Sequence, residues 1–379
     1  MGRIMECSYK SKSVVLAQRL HQELLKRRLP AHSAVPSVRA LASRYGISTV
    51  TADRILDILA SQGFIYRVPR SGSFIQHDPP ALPQIAYIGS PPGPNSDQHL
   101  FAYAFRNMLE YLDSRDCPLS YISYHELQNP ALAQAKLCNL NGILLEGSYL
   151  DQLTQKSLRG FSGKIVMVGL SYVRQDLSCS QIVPDFSCGL LELTRTFDLH
   201  YYKRIIVLHP THSNGKAMLK ELLEFFDKQG VSSSCLQFIE FNVSGNSNAE
   251  AMAEQYFSQN KLGSCRRTLM VSLSDYFLFG MEKALPEPKK RPDLFSIDNV
   301  EGVLPEDTPR KKCITSIDKS ITRCYVDAAE LLLRMIEQAD ERNYIIKVPT
   351  KLLRRGSMKA PTLKPHNDLA MAGENPKSD

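Results

Sequence analysis

The sequence predicts an α/β protein with two parts: a small, mostly helical unit that ends in a two-stranded hairpin, and a larger bilobed unit of doubly wound parallel sheets. Three observations lead to this prediction. The first 78 of the 379 residues carry all of the excess positive charge. Two short helical segments and a glycine-punctuated hairpin fit between residues 36 and 74. From residue 85 onward, β-rich runs alternate regularly with amphipathic helical stretches.

The charge is distributed very unevenly along the chain. Residues 1–78 contain 12 Lys and Arg against 5 Asp and Glu, while the remaining residues have a net charge of zero. The formal net charge of +7 therefore lies entirely in the first fifth of the protein. This asymmetry is typical of a module that binds a polyanion and is joined to a neutral domain.

Three helices are expected in the first unit. Leu16, Leu20 and Leu24 recur every four residues in VVLAQRLHQELLKRRL, which predicts an amphipathic helix of about four turns. Ser37 is suited to cap a short helix, VRALASRYG, which ends at a glycine, and Ser48 or Thr49 can cap the next, VTADRILDILASQG.

The turn of about four residues between the second and third helices predicts a helix-turn-helix, whose second helix enters the major groove by its N-terminal end. This orientation buries the apolar face made by Ile47, Ala52, Ile55, Leu56 and Leu59. The segment FIYRVPRSGSFI that follows predicts a two-stranded wing. Gly72 lets its backbone approach a groove closely, and Arg67 and Arg70 flank it to meet phosphates or the minor-groove edge.

The first unit resembles the winged-helix domain of the GntR family over residues 12–76. The matching motifs are Pro36-Ser37-x-Arg39-x-Leu41-Ala42, Gly46-Ile47-Ser48 with Thr51, Gly63-Phe64-Ile65 and Gly72-Ser73-Phe74. The resemblance implies that Arg39 contacts the DNA backbone. Thr49 and Asp53 stand where the family often has arginine, so Asp53 either accepts from a cytosine amino group or weakens binding. The residues expected to contact DNA are Arg39, Ser48, Thr49, Val50, Thr51, Asp53, Arg54, Arg67, Arg70 and Gly72.

The larger unit follows a proline-rich linker, HDPPALPQ. Eight β-rich runs are expected to be strands: residues 85–89, 119–124, 142–146, 164–168, 204–208, 236–241, 268–272 and 293–297. Amphipathic helices are expected between them, including residues 98–115, 185–200, 213–229 and 319–339. This number of strands predicts two doubly wound lobes, with a ligand bound in the crevice at the carboxyl ends of the strands.

This unit resembles the sensor domain of the LacI/GalR repressors, a periplasmic-binding-protein-like fold, over roughly residues 83–356. The motifs, in order, are Ile85-Ala86-Tyr87-Ile88, Asn141-Gly142-Ile143-Leu144-Leu145, Val183-x-Asp185-x-x-x-Gly189, Tyr202-Lys203-Arg204-Ile205, Ser274-Asp275 with Gly280, Phe295-Ser296-Ile297-Asp298-Asn299, Ile314-Thr315-Ser316-Ile317 and Leu352-Leu353-x-Arg355-x-Ser357. The resemblance implies that Asp275 and Asp298 face the cleft and hold sugar hydroxyls, and that Asp185 lies at the crossover between lobes. The alternative role is a helix cap for Asp275 and a turn residue for Asp298.

The chain has no tryptophan, so any stacking on a sugar would need tyrosine or phenylalanine, for which core packing is the alternative. The residues expected to contact a ligand are Ser90, Phe101, Tyr149, Asp185, Phe186, Lys216, Asp275 and Asp298. Tyr172 and Tyr276 are further aromatic candidates at loop ends.

Several functional classes are not supported by the sequence. It has no apolar run long enough to cross a bilayer and no secretory signal, and its nine cysteines show no metal-binding spacing, so we expect a cytoplasmic protein with free thiols. Phosphate-binding loops and hydrolase or metalloprotease motifs are absent, which argues against an enzyme and against a cofactor or metal. The expected organisation is a DNA-binding domain over residues 1–77, a linker over 78–84, a sensor and dimerisation domain over 85–358, and a disordered tail over 359–379.

Two functions remain open. The first is a ligand-responsive transcription regulator, a homodimeric repressor that binds a two-fold operator in double-stranded DNA and senses a small molecule, a sugar according to the resemblance. The second is a solute-binding or signalling module whose winged helix docks on another protein. Binding to DNA would weaken steeply with salt, whereas docking on a neutral protein surface would not.

Overall fold

The chain forms two units, divided between Leu82 and Pro83. The computed structural model describes residues 12–78, 82–89, 99–147, 150–243, 248–306, 308 and 312–362. Each unit has its own hydrophobic core within these ranges. Among the described residues, no helix combines the length and apolar character that crossing a membrane requires.

The first unit contains three helices and a hairpin. They are α1 (Lys12–Lys26), α2 (Val38–Tyr45), α3 (Thr49–Ser61), β1 (Ile65–Val68) and β2 (Gly72–Ile75). Ser37 accepts a hydrogen bond from the Ala40 backbone N–H, and Ser48 accepts one from the Thr51 N–H, so both serines cap helices as predicted. Gly46 ends α2 with φ +59°, a left-handed conformation that favours glycine.

The apolar faces of these elements meet in one small core. Its buried side chains include two leucines of α1, one leucine of α2 and the apolar face of α3, namely Leu20, Leu24, Leu41, Ala52, Ile55, Leu56 and Leu59. Leu16 and Ile47, which the sequence places on the same faces, are half-buried at its border. Residues 33–35 form an isolated antiparallel bridge with β2 through the Val35 N–H to Ser73 and the Ile75 N–H to Ser33, both 2.9 Å, which the sequence did not predict.

The second unit contains twelve strands and nine helices within the described residues. The strands are β3 (Ile85–Ile88), β4 (Leu119–Ile122), β5 (Gly142–Glu146), β6 (Lys164–Val168), β7 (Ser180–Asp185), β8 (Arg204–Pro210), β9 (Leu236–Phe241), β10 (Thr268–Ser272), β11 (Asp293–Ser296), β12 (Thr315–Asp318), β13 (Ile345–Pro349) and β14 (Lys351–Leu353). The helices are α4 (His99–Asp113), α5 (Tyr124–Gln128), α6 (Pro130–Leu137), α7 (Gln152–Leu158), α8 (Phe186–Thr196), α9 (Ser213–Lys228), α10 (Ala249–Gln259), α11 (Asp275–Ala284) and α12 (Ile321–Glu337).

The strands form two six-stranded sheets, one in each lobe. The first has the order β13-β7-β6-β5-β3-β4 and is entirely parallel. The second has the order β14-β12-β11-β10-β8-β9, and only β14 runs antiparallel. The first five strands of each lobe therefore follow the same doubly wound order, which confirms the predicted fold class. In doubly wound sheets, ligands bind in the crevice outside the carboxyl ends of the strands, at the point where the strand order reverses.

The chain crosses between the lobes three times. It leaves the first sheet after β7, returns after β12 through α12, and crosses again between β13 and β14. All eight predicted strands are present, but β7, β12, β13 and β14 were not among them. The second lobe also extends beyond the expected boundary at residue 358, because Ala360 is buried in its core and Thr362 pairs with Phe197. The rest of the expected tail, residues 363–379, lies outside the described residues.

Candidate nucleic-acid interface and ligand cleft

The N-terminal turn of α3 presents a small exposed surface. Ser48, Thr49, Val50 and Arg54 are all exposed, and Val50 has 78% of its surface accessible. The Thr51 hydroxyl is 2.9 Å from the Ser48 hydroxyl and is half-buried, so it supports the helix cap. The exposed surface at the N-terminal end of α3 therefore consists of the side chains of Thr49, Val50 and Arg54.

Arg67 of the wing binds α3. Its guanidinium donates one hydrogen bond to Asp53 (2.6 Å) and another to Asp57. The sequence predicts Arg67 as a phosphate or minor-groove contact and Asp53 as a base contact. In the structure these two side chains neutralise each other, because β1 lies beside α3 and brings opposite charges together. In the unbound protein these two residues bind each other, and their contacts with DNA stay predictions.

Arg39 and Arg70 of the predicted interface line one groove together with Arg67, whereas Arg54 lies outside it. Arg39 lies in the first turn of α2, and Arg70 is at the exposed tip of the wing with φ +64°. Gly72 follows with φ +127°, a conformation that side chains rarely adopt. The groove has a volume of about 680 Å³, and its lining includes Ser37, Arg39, Arg67, Arg70 and Gly72. Two arginines beside the N-terminal end of a helix suit a phosphate group.

The second candidate site lies at the carboxyl ends of the strands in the second lobe. Asp298 follows β11 and forms an ion pair with Lys319, which follows the neighbouring strand β12. Both side chains are buried. Burial raises the pKa of Asp298, while the Lys319 ammonium and the hydroxyl of Ser274 oppose this shift. The pair places an acceptor and a donor together at the end of the sheet.

Asp275 is close to this pair but is held by the protein itself. Its carboxylate accepts hydrogen bonds from the Ser296 hydroxyl and from the Val300 backbone N–H (2.7 Å). Burial, followed by the Asp298 carboxylate, raises the pKa of Asp275 to about 7. Both carboxylate oxygens are occupied and the side chain is fully buried. Asp275 therefore binds groups of the protein, but not as a cap of α11, because its partners Ser296 and Val300 lie in and after β11.

His212 caps α9 at the same end of the sheet. Its Nδ1 atom accepts a hydrogen bond of 3.1 Å from the Gly215 backbone N–H. Burial, and then the nearby Lys319 charge, lower the pKa of His212. An accepting Nδ1 and a lowered pKa together indicate a neutral imidazole that carries its proton on Nε2.

The two lobes contact each other at the ends of their strands. The Asn214 amide donates to the Gly169 carbonyl and accepts from the Ser171 N–H, both at 3.1 Å. Gly169 and Ser171 follow β6 in the first lobe, whereas Asn214 lies in the first turn of α9 in the second. The His99 N–H also donates to the Tyr276 hydroxyl (3.2 Å), which joins α4 to α11. The carboxyl ends of the two sheets therefore face each other across the cleft.

The other predicted ligand residues are dispersed. Asp185 caps α8 by accepting from the Ser187 N–H (3.1 Å) and hydroxyl (2.6 Å). Phe186 is only 3% exposed and belongs to the core of the second lobe, so the expectation that it contacts a ligand is corrected in favour of core packing. Phe101 is half-buried against the core, and Lys216 is exposed on α9. Ser90 and Tyr149 lie outside the described residues.

The sequence did not single out Lys319, His212 or Asn214 as cleft residues. Lys319 directly follows the Ile314-Thr315-Ser316-Ile317 motif, and the position of β12 beside β11 brings it to Asp298. Its place after a strand of a parallel sheet was a usable signal. A lysine is normally taken to be solvent-exposed, and for that reason the signal is easily overlooked.

Comparison with known proteins agrees with this division of the chain. Residues 12–75 match the family model described as bacterial regulatory proteins, gntR family. The match spans all three helices and both strands of the first unit, which is therefore a gntR-type helix-turn-helix domain.

Solved structures of LacI-type regulators share the fold of the second unit. A LacI family transcriptional regulator from Enterococcus faecium with bound ribose has a TM-score of 0.55 and 17% identity, covering 74% of this chain and 100% of that chain. The regulator CcpA of Lactococcus lactis has a TM-score of 0.54 and 16% identity, covering 73% and 100%. The trehalose repressor of Escherichia coli has a TM-score of 0.53 and 17% identity, covering 71% and 99%. At these identities the similarity establishes the fold.

Proposed function

We propose that this chain, with a gntR-type domain at residues 12–75 and the fold of LacI-type regulators in its second unit, is a ligand-responsive transcription regulator. The single observation that carries the proposal is the groove lined by Arg39 and Arg70, in the same domain as the exposed N-terminal turn of α3. Such a surface offers cations for phosphates and a helix end for base edges.

The DNA-binding role assigns separate tasks to the two sides of this surface. Arg39 and Arg70 bind backbone phosphates, which fixes the position of the domain on the duplex and makes the affinity salt-dependent. Thr49, Val50 and Arg54 reach base edges in the major groove. A homodimer presents two such surfaces to a two-fold operator, and repression follows when the bound protein blocks transcription.

The sensing role belongs to the cleft between the lobes. Asp298 and Lys319 offer an acceptor and a donor to the hydroxyl groups of a carbohydrate, and His212 adds an Nε2 donor on the same edge. A carbohydrate is favoured because the matched regulator from Enterococcus faecium holds ribose. Asp298 and Lys319 are already paired, so the ligand must replace an existing interaction. A ligand that binds one arrangement of the lobes more tightly shifts the population towards that arrangement, without any catalytic step.

The test is selection of bound fragments from a random duplex library by the purified full-length protein, at two salt concentrations and with a panel of sugars. We expect a short two-fold site whose affinity falls steeply with salt and changes in the presence of one sugar. A two-fold site that responds to no sugar would overturn the carbohydrate assignment alone. Selection of no sequence above background at low salt would overturn the regulator and favour a winged helix that docks on protein.

A further inference from the structure

Val50 is an apolar side chain that the fold leaves in solvent. It has the largest exposed fraction, 78%, among the large apolar side chains of the described residues. It lies in the first turn of α3, where a β-branched residue brings no advantage in helix propensity. Neither packing in the core nor helix formation therefore accounts for a valine at this position.

The polar neighbours of Val50 are partly occupied by other groups. Asp53, one turn further along α3, is bound by Arg67, and the hydroxyl of Thr51 is engaged with Ser48. One oxygen of the Asp53 carboxylate is thus held by the wing. Val50 stands at the front of the helix with Thr49 before it and Arg54 one turn after it.

We propose that Val50 determines operator specificity by packing against the 5-methyl group of a thymine in the major groove. The inference rests on the proposed DNA-binding function. Thymine is the only base that presents a methyl group in this groove, whereas the other base edges there offer hydrogen-bonding groups. The isopropyl group of Val50 cannot form hydrogen bonds with those groups, and covering them without a hydrogen bond costs free energy. Burial of Val50 therefore favours thymine and disfavours cytosine at the contacted position.

The experiment uses the full-length protein and a duplex that the protein itself has selected from a random library. Each thymine is replaced in turn by deoxyuridine, which removes only the methyl group and keeps the base pairing. We expect affinity to fall about fourfold at one position in each half-site, the effect of exposing one methyl-sized apolar group. Val50→Ala should weaken binding to the thymine duplex at least as much, and should no longer distinguish thymine from deoxyuridine at that position.

Val15→Ala is the matched control, because Val15 is 51% exposed on α1, outside the recognition helix. It should keep the wild-type response to deoxyuridine. If deoxyuridine has no effect on the wild-type protein at any position, the inference is overturned while DNA binding stands. The same conclusion applies if Val50→Ala keeps the full response, because another residue then contacts the methyl group. Failure of the wild-type protein to select any duplex instead overturns the proposed function itself.

Discussion

Arg67 on β1 donates a hydrogen bond of 2.6 Å to Asp53 on α3, and this contact joins the wing to the helix that would enter a major groove. Asp57, one turn further along α3, binds the same guanidinium. The pair orients the wing relative to the helix in the absence of DNA. It also neutralises a cation that would otherwise be available to a phosphate.

Neutralising Asp53 should therefore strengthen DNA binding. In the variant Asp53→Asn combined with Asp57→Asn, Arg67 has no anionic partner and can contact a phosphate. We expect higher affinity for all duplexes and a salt dependence steeper by about 0.9 in the logarithmic slope, the increment for one additional phosphate contact. The measurement is a binding titration by fluorescence anisotropy at several salt concentrations.

The matched control is Asp113→Asn combined with Asp227→Asn, two exposed aspartates on α4 and α9 in the second unit. It changes the net charge by the same two units without touching the winged helix, and should leave the salt slope unchanged. Weaker binding by the double variant, with loss of preference at a cytosine, would show that Asp53 itself contacts a base.

Removing Arg39 should weaken binding to every sequence. Arg39→Ala deletes one cation from the groove that also contains Arg70, so we expect the salt slope to become shallower by about 0.9. The order of preference among duplexes should not change, because phosphate contacts carry no sequence information. A titration of the selected operator and a scrambled duplex measures both effects.

Arg266→Ala provides the comparison, since Arg266 is an exposed arginine in the second unit. It removes the same charge at a distance in sequence from the winged helix. Unchanged affinity and slope for Arg39→Ala would contradict the assignment of Arg39 to a backbone phosphate.

The local features of the first unit were predictable from the sequence. Ser37, Ser48 and Gly46 act on their own helix ends through contacts within a few residues, so the bounds of α2 and α3 follow closely from the sequence. The Arg67 contact was not predictable in this way, because it joins two elements through side chains 10 and 14 positions apart. Charge pattern alone does not distinguish an arginine that faces DNA from one that faces an aspartate.

The second unit shows the same limit at a larger scale. β7 was missed because Pro184 interrupts its pattern, yet the pairing of β7 with β6 involves only Ser180 and Gln181, so no ladder hydrogen bond to β6 is lost at the proline. Asp298 was predictable as a residue at a strand end, but its pairing with Lys319 depends on β11 and β12 being neighbours in the sheet. Strand order is a property of the whole lobe, and short sequence windows do not contain it.

The raised pKa of Asp275 predicts a pH dependence of stability. The unfolded carboxyl titrates near 4, whereas the folded one titrates at about 7 because of burial and the Asp298 charge. Between pH of about 4 and about 7, the Asp275 carboxyl therefore keeps its proton in the folded state and has lost it in the unfolded state. The contribution of this group to stability is fully present below pH of about 4 and is lost as the pH rises to about 7.

Asp275→Asn should remove this contribution to the pH dependence, because an amide can still accept from the Val300 N–H and can donate to Ser296. We expect the variant to gain stability relative to the wild type as the pH rises from about 5 to about 8, measured by urea unfolding of the full-length protein. Asp227→Asn, which changes an exposed carboxylate, is the control. A constant stability difference between Asp275→Asn and the wild type over this range would contradict a protonated Asp275.

Asn214 should control how closely the lobes approach. Its amide makes two hydrogen bonds to the loop after β6, with Gly169 and Ser171, and alanine can make neither. Each typical hydrogen bond contributes about 1 kcal/mol, so the loss of both in Asn214→Ala should shift the population by roughly thirtyfold towards separated lobes. Small-angle scattering should then show a larger radius of gyration for the ligand-free variant than for the wild type. Asn260→Ala loses a hydrogen bond from the side-chain amide to the Tyr256 carbonyl within the second lobe, and should leave this radius unchanged. If Asn214→Ala has the same radius of gyration as the wild type, Asn214 does not control the approach of the lobes. Other contacts, such as that between His99 and Tyr276, then hold the lobes together.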